Sequence, residues 1–240
     1  MLQSTGKPLK RSSSSRRLSQ KISFFGDVLI DWFQTNGRKY PWRTESHPYR
    51  ILMAEIMLQR TRSEQVVSVY NDFISRFPDI DSLVSAHPSD INKFIARLGL
   101  FWRTNLVLEM ANKISKDFNG LIPNDRSQLC SIPGIGDYIA DMLCVLAFHG
   151  RRIGIDTNVI RLVTRFFGIK PEGEMRRKRD FIEFCQRLVR DIHPEQVREI
   201  NLALIDFPSI ICKPRPLCQI CPLSAQCNYF KKELIIRDSE

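Results

Sequence analysis

The sequence predicts an all-α fold, and three observations indicate it. Large apolar residues recur at helical spacing through most of the 240 residues, as Phe24, Val28 and Trp32 do near the start. No stretch alternates apolar and polar residues for long enough to predict a β-strand. Pro, Gly and Asn separate the apolar segments at intervals typical of helix boundaries. We therefore expect about ten helices and no internal repeat.

The predicted helices follow one another with short breaks. The first starts from Phe24 and ends before the break at Tyr40-Pro41-Trp42. The others cover residues 48–60, 64–76, 79–86, 88–98, 102–118, 125–131, 137–148, 156–167, 178–190 and 194–207. The chemically informative motifs lie in these helices, in the turns between them, or in the segment that follows the last one.

The charge of the chain indicates a polyanionic partner. The formal net charge is +10, but the first 23 residues carry six Lys or Arg and no acid. Nucleic acid is the first choice of partner and an anionic membrane surface the second. Residues 1–21 are basic and rich in Ser, which predicts a disordered tail. A phosphate-contacting arm, an organelle transit peptide and an artificial leader remain alternatives for this tail.

Four cysteines near the C-terminus predict a metal site. The chain has no apolar run long enough to span a membrane and no secretory signal, so we expect an intracellular protein, where structural disulfides are rare. The spacing C-x5-C-x2-C-x5-C favours a [4Fe–4S] cluster over zinc and over a pair of disulfides. Lys213 and Arg215, in the first loop, are candidates for a phosphate contact. The four candidate ligands are Cys212, Cys218, Cys221 and Cys227.

The segment Ile132-Pro133-Gly134-Ile135-Gly136-Asp137 joins two predicted helices. Glycines at Gly134 and Gly136 allow backbone angles that other residues resist, so successive N–H groups can face outward. Such N–H groups at a helix N-terminus bind a phosphate oxygen without reading sequence. A plain helix–helix turn would use the same residues, so this segment predicts a DNA contact only together with other motifs.

Two carboxylates stand in different surroundings. Asp156 starts a predicted helix, where it is either an N-cap or an anion beside the sugar of a target nucleotide. Glu55 is the only charge in the apolar segment 51–58. It is either exposed on the one polar line of its helix, or packed among apolar side chains with a raised pKa that suits a proton donor near neutral pH.

The order of these motifs resembles the helix-hairpin-helix base-excision DNA glycosylases over roughly residues 22–230. Within that family the chain looks closest to the adenine-mismatch and thymine-mismatch branches. The resemblance rests on Tyr40-Pro41-Trp42-Arg43, His47-Pro48-Tyr49, the segment from Ala54 to Thr61, Pro133-Gly134-Ile135-Gly136, Ile155-Asp156-Thr157-Asn158 and the four cysteines. The first cysteine spacing departs from the family, since relatives usually have x6 where this chain has x5.

The resemblance implies a two-part architecture with a cleft. Residues 47–150 would form a six-helix barrel subdomain that carries the hairpin at 132–138. Residues 22–46 and 151–211, from both ends of the chain, would form a second helical subdomain that bears the cluster loop at 212–228. Double-stranded DNA with a mispaired or damaged base would bind in the cleft, and we expect the protein to act as a monomer.

The resemblance also implies roles for single residues. Asp156 would stabilise the sugar cation or orient water with support from Asn158, and Glu55 would be the acid. Arg60 would fill the gap left by the flipped base, with Gln59 against the opposite strand and the hairpin residues Gly134, Ile135 and Gly136 on a phosphate. Leu202 and Ser63 would line the base pocket. Tyr138 occupies the position at which strand-nicking relatives carry a Lys.

These roles predict a monofunctional glycosylase. Tyr138 cannot form a Schiff base, so water would be the nucleophile and an abasic site would remain. Leu202 cannot pair with an adenine edge as the Gln of adenine-specific relatives does, which favours thymine or uracil opposite guanine. Adenine opposite 8-oxoguanine or guanine and a modified pyrimidine remain alternative substrates. A non-catalytic DNA-binding or redox-sensing protein is the alternative of another class, and a ferredoxin-like electron carrier is disfavoured.

Overall fold

The computed structural model describes residues 13–99, 101–190 and 192–237, and the predicted all-α fold is confirmed. Twelve α-helices and five short 3₁₀ turns occur in this part of the chain, with no β-strand. The α-helices are α1 (Ser13–Asn36), α2 (Pro48–Leu58), α3 (Ser63–Arg76), α4 (Ile80–Val84), α5 (Pro88–Ile95), α6 (Arg103–Phe118), α7 (Arg126–Cys130), α8 (Asp137–Leu146), α9 (Thr157–Phe167), α10 (Arg179–Arg187), α11 (Pro194–Ile210) and α12 (Asn228–Arg237). None of the helices described is long and apolar enough to cross a membrane.

Helices from both ends of the chain pack together. Helix α1 lies against α11, and α9 contacts both α11 and α12. Aromatic side chains fill these contacts, because α1 places its large apolar residues on one face. Trp32 meets Phe207 edge-on with ring centroids 4.9 Å apart, and Phe25 lies 4.8 Å from Phe166. Helices near both ends of the described chain therefore share one set of packing contacts.

Helices α2 to α8 form the other set. Helix α2 packs against α3 and α8, while α4 and α5 pack on α6. Every residue from Ile51 to Met57 is buried, so α2 is the central helix of this set. The described chain between residues 47 and 150 holds seven α-helices, one more than the expected six, and α4 and α7 are only five residues long.

The largest differences from the predicted helices lie towards the two ends of the described chain. Helix α1 begins at Ser13, so residues 13–21 of the expected tail are helical, and residues 1–12 lie outside the described part. Helix α11 continues through Pro208 to Ile210. The proline costs the helix a backbone hydrogen bond. The buried side chains of Phe207 and Ile211 hold the helix in place on either side of it. Helix α12 follows the cysteines and was not predicted.

Candidate active site

A cleft of about 1410 Å³ lies between the two sets of helices. Glu55 of α2 and Gln59, the residue that follows α2, line the cleft together with Asp156 and Leu202 from the other set of helices. The two carboxylates are close enough for the charge of Asp156 to raise the pKa of Glu55. The cleft therefore brings together the two acids that lie 101 positions apart in the sequence.

Glu55 is almost fully buried within the apolar surface of α2. Its exposed fraction is 7%, and the exposed alternative for this residue is wrong. Removal from water raises the pKa of Glu55 to about 7, an effect that Arg43 opposes and Asp156 reinforces. A carboxylic acid with this pKa holds its proton in near-neutral solution and can donate it.

Asp156 is both the N-cap of α9 and a residue of the cleft. Its Oδ1 accepts hydrogen bonds from the backbone N–H groups of Asn158 at 2.8 Å and Val159 at 2.7 Å. Its Oδ2 accepts a third hydrogen bond from Asn158 Nδ2 at 2.9 Å. These donors hold the carboxylate in one orientation at the start of the helix, where the helix dipole favours a negative charge.

Arg161 connects this carboxylate to the cysteine segment. Its Nη2 donates to Asn158 Oδ1 and to the carbonyl of Pro208, each at 2.9 Å, and its Nε donates to the carbonyl of Cys212 at 2.8 Å. Asn158 is thus fixed from behind while it holds Asp156. No local pattern identifies Arg161 as a site residue, because an Arg within an amphipathic helix usually lies on the solvent face.

Tyr138 lies in the cleft, close enough to both acids for their charges to affect its pKa. It is the second residue of α8 and lines the cleft, half-buried. Burial and the nearby charges of Glu55 and Asp156 hold the pKa of its phenol well above the usual value. The hydroxyl therefore stays protonated and can donate a hydrogen bond to a group in the cleft.

Arg43 is a cleft residue that the sequence analysis named only within a motif. Its side chain is 10% exposed, and Nη2 donates to Asp206 Oδ1 at 2.8 Å. Asp206 is fully buried and also pairs with Arg38, which ties the segment before α2 to α11. Arg43 Nε and Nη1 are buried without a hydrogen-bond partner. These two donors are thus left unsatisfied, which is rare for buried polar groups.

The turn after α2 forms part of the cleft lining. Arg60 is exposed and adopts the left-handed backbone conformation, with φ at 59°, which is uncommon outside glycine. Gln59 Nε2 donates to the carbonyl of Gly134 at 3.3 Å, so the turn contacts the hairpin. Ser63 and Leu202 also line the cleft, and Leu202 is 4% exposed.

The hairpin differs from the expectation at two of its three residues. Gly134 has φ at 84°, so it uses the freedom of glycine, but Gly136 has φ at −92°, which any residue can adopt. A side chain at Gly136 would meet no atom within 4 Å, so glycine leaves open space there. Ile135 has a buried side chain, and its N–H donates to the carbonyl of Ile132. Ile135 therefore cannot offer that N–H to a phosphate.

The four C-terminal cysteines line one small cavity with apolar neighbours. Neither these four cysteines nor the other three form a disulfide bond in the described part of the chain. No three His, Cys, Asp or Glu groups of the described chain are arranged to hold a single metal ion. Arg165 donates to Cys212 Sγ at 3.6 Å and to the carbonyls of Lys213 and Pro214. Lys213 and Arg215 are exposed and are absent from the lining of the cleft.

Comparison with known proteins agrees with this geometry. Residues 53–187 match the HhH-GPD superfamily of base excision DNA repair proteins. The chain is 35% identical over 214 residues to the thymine/uracil-DNA glycosylase of Pyrobaculum aerophilum, which covers 87% of this chain and 92% of the relative. The match thus includes both sets of helices around the cleft.

The chain is also similar to an adenine DNA glycosylase in sequence and to a thymine-DNA glycosylase in structure. The adenine DNA glycosylase of Buchnera aphidicola subsp. Baizongia pistaciae is 31% identical over 86% of this chain, which corresponds to 58% of that relative. A solved structure of a thermostable thymine-DNA glycosylase superposes with a TM-score of 0.82 at 30% identity, over 90% of this chain and 99% of that one.

Proposed function

This chain belongs to the HhH-GPD superfamily of base excision DNA repair proteins, and from that premise we propose that it is a monofunctional DNA glycosylase for thymine or uracil opposite guanine. The observation that carries the proposal is the meeting of Glu55 and Asp156 in one cleft, with Tyr138 beside them. A thymine/uracil-DNA glycosylase is similar along 92% of its own length, which supports the same activity here.

In the proposed reaction, the bond between the base nitrogen and C1′ of the sugar breaks and its electron pair leaves with the base. Glu55, protonated up to about pH 7, gives its proton to the departing base. Asp156 faces the sugar and stabilises the positive charge that develops on the ring. Water then attacks C1′ and releases one proton to the solvent, which leaves an abasic site.

The absence of an amine at Tyr138 supports hydrolysis without strand cleavage. A bifunctional enzyme needs a nucleophilic amine on the sugar carbon, and a phenol held protonated by its surroundings cannot form an imine. We expect wild-type protein mixed with substrate DNA and borohydride to give no covalent adduct in good yield. An abundant adduct would contradict the monofunctional assignment.

The lining of the cleft favours a pyrimidine that carries carbonyl groups. Leu202 contributes no hydrogen bond to the edge of a base. Arg43 has two buried donors without a partner, Nε and Nη1, which would reach a base only after a shift of the side chain. Thymine and uracil present two carbonyl oxygens that accept hydrogen bonds. A guanidinium also stabilises the negative charge of a departing pyrimidine anion. Adenine has no carbonyl acceptor, so it is the weaker candidate despite the similarity to an adenine DNA glycosylase.

We propose that the DNA backbone binds across the hairpin and the turn after α2. The open space at Gly136, at the N-terminus of α8, lets a phosphate approach the helix end. Gln59 and Arg60 lie next to the hairpin, where Arg60 can enter the base stack as the target nucleotide leaves it. A mispaired base costs less to extrude than a paired one, which adds selectivity.

The chemistry of the cysteine cavity fits a [4Fe–4S] cluster, which we propose as the cofactor. Four thiols line one cavity walled by apolar side chains, and Arg165 offers a positive charge to Cys212. A cubane is held by four Cys thiolates, which matches the number of cysteines that line this cavity. The cluster would brace the loop whose carbonyl at Cys212 holds Arg161. Protein without iron and without brown colour would contradict this proposal.

A base-release screen tests the proposed function. Duplexes that contain G·T, G·U, A opposite 8-oxoguanine, or a modified pyrimidine opposite guanine are incubated with the protein and then heated in alkali, which cuts the strand at abasic sites. We expect cleavage of the G·T and G·U duplexes only after alkali. Cleavage of the adenine duplex alone would assign the protein to the adenine branch. Cleavage of none would favour a non-catalytic DNA-binding protein.

A further inference from the structure

Arg103 is a buried cation to which the proposed chemistry gives no role. It is the first residue of α6 and is 1% exposed. No ion pair with a carboxylate is found for it within the described ranges, and its Nε has no hydrogen-bond partner. A guanidinium buried without a counter-charge is costly, and a cation at a helix N-terminus is unfavourable as well. The side chain must therefore gain its stabilisation elsewhere.

The partners of Arg103 are carbonyl groups at the end of α2 and the ring of Trp102, whose centroid lies 4.9 Å from the guanidinium carbon. Nη1 donates to the carbonyl of Ile56 at 2.5 Å, and Nη2 donates to the carbonyl of Gln59. The last carbonyls of a helix lack intrahelical partners and carry the negative end of the helix dipole. Arg103 thus bridges the last turn of α2 and the residue that precedes Arg60.

Arg60 needs such a support, because its backbone is left-handed without being glycine. The positive charges of Arg60 and Arg103 also repel each other, and this repulsion together with burial lowers the pKa of Arg103. The same turn reaches the hairpin through Gln59. Helix α6 touches the hairpin too, since a methyl group added at Gly134 would lie 3.2 Å from Leu106 Cδ2.

We propose that Arg103 is a positioning residue that holds the Gln59–Arg60 turn against the hairpin, so that base extrusion from duplex DNA depends on it. The bond-breaking groups Glu55 and Asp156 do not contact Arg103. Loss of Arg103 should therefore affect extrusion much more than cleavage of the glycosidic bond. This inference rests on the proposed function, since it concerns a step of that reaction.

Single-turnover excision of uracil from two duplexes tests the proposal. In one duplex uracil is paired with guanine, and in the other it faces an abasic site, where extrusion costs little. For Arg103→Met we expect the ratio of the first rate to the second to fall by about tenfold relative to wild type. Lys116→Met, on the exposed face of the same helix, should leave the ratio unchanged. An unchanged ratio in Arg103→Met would overturn the inference, whereas wild-type protein inactive on both duplexes would overturn the proposed function itself.

A second pair of variants keeps the test valid should Arg103→Met fail to fold. Lysine keeps the charge but cannot bridge two carbonyls, so Arg103→Lys should lower the same ratio by about threefold. When Arg60→Ala is already present, Arg103→Lys should not lower the ratio of the two excision rates any further, because both substitutions act on the same turn. Independent, multiplicative effects of the two substitutions would show that Arg103 does not act through Arg60.

Discussion

Burial of Glu55 destabilises the folded chain at any pH at which the unfolded chain would release the Glu55 proton. The folded chain keeps this proton up to about pH 7, whereas an exposed Glu releases it near pH 4.5. Between these two values the unfolded chain becomes charged at Glu55 while the folded chain does not. The free energy of unfolding therefore falls as pH rises through this window, which is opposite to the behaviour of a salt-bridged acid.

Replacement of Glu55 by Gln should remove this cost. At pH 8 we expect Glu55→Gln to raise the free energy of unfolding by up to about 3 kcal/mol, and at pH 4 by little, because wild-type Glu55 is then protonated in both states. Urea unfolding at the two pH values measures the difference. An equal gain at both would mean that packing, rather than the proton, is responsible.

Asp156 combines two roles that the sequence presents as alternatives, an N-cap and an anion in the cleft. It caps α9 through Oδ1 and faces the cleft, so the structural role does not exclude the chemical one. The two roles need different properties of the side chain. Capping needs an acceptor oxygen at the helix start, while stabilisation of a sugar cation needs a negative charge.

Two substitutions separate these roles by stability alone. Asp156→Ala removes the acceptor and should lower the free energy of unfolding by about 1 kcal/mol, whereas Asp156→Asn keeps an acceptor and should change it little. Thermal or urea unfolding of both variants measures the difference. If Asn destabilises as much as Ala, the charge itself, and not the cap, supports the start of α9.

At the scale of elements, the sequence predicted most helices but not how their side chains close the site. Apolar spacing identifies α2 to α11, because burial of one face imposes that period. It misses the residues of α1 from Ser13 onward, where Ser and Arg predominate, and it ends α11 too early at Pro208. The unpartnered donors of Arg43 depend on contacts between distant segments, which no local pattern reveals.

The hairpin is the element whose function depends most on a single backbone angle. With φ at 84°, Gly134 occupies a region that costs other residues about 1 kcal/mol or more. An added methyl group would also press on Leu106. We expect Gly134→Ala to weaken binding to matched and mismatched duplexes by a similar factor of about ten, because a phosphate contact carries no sequence information.

Binding titrations with both duplexes measure that effect, and Gly136→Ala provides the matched control at a conformation open to any residue. Its added methyl group meets no protein atom, so any loss of affinity there reports on the approach of the DNA alone. A loss confined to the mismatched duplex would show that the hairpin reads the lesion instead of the backbone.

At the scale of the whole molecule, the basic charge and the cleft predict how binding responds to salt. The net charge is +10, and several arginines line the cleft. If about five phosphates are contacted, the logarithm of the binding constant should fall with the logarithm of salt concentration with a slope of about −4 to −5. Titrations between about 50 and 200 mM salt measure the slope. A flat response would argue against DNA as the partner.

The sequence predicts a division into two helical parts. One comprises residues 22–46 and 151–211 and the other residues 47–150, and these limits remain predictions. Residues Tyr40 to Arg43 show why the boundary is not sharp. Trp42 packs edge-on against Tyr70 of α3, while Arg43 pairs with Asp206 of α11. Trp42 and Arg43, which contact both sets of helices, therefore also line the cleft between them.

The central claim is that Glu55 and Asp156 act together on one extruded nucleotide. Single-turnover excision of uracil from a G·U duplex, measured beside binding of the same duplex, tests it most directly. Wild type should excise with a rate that declines above about pH 7 as Glu55 loses its proton. Asp156→Asn and Glu55→Gln should each bind the duplex with nearly wild-type affinity and lose at least about a hundredfold in rate. Wild-type excision rates in both variants, or losses in affinity as large as the losses in rate, would contradict the account.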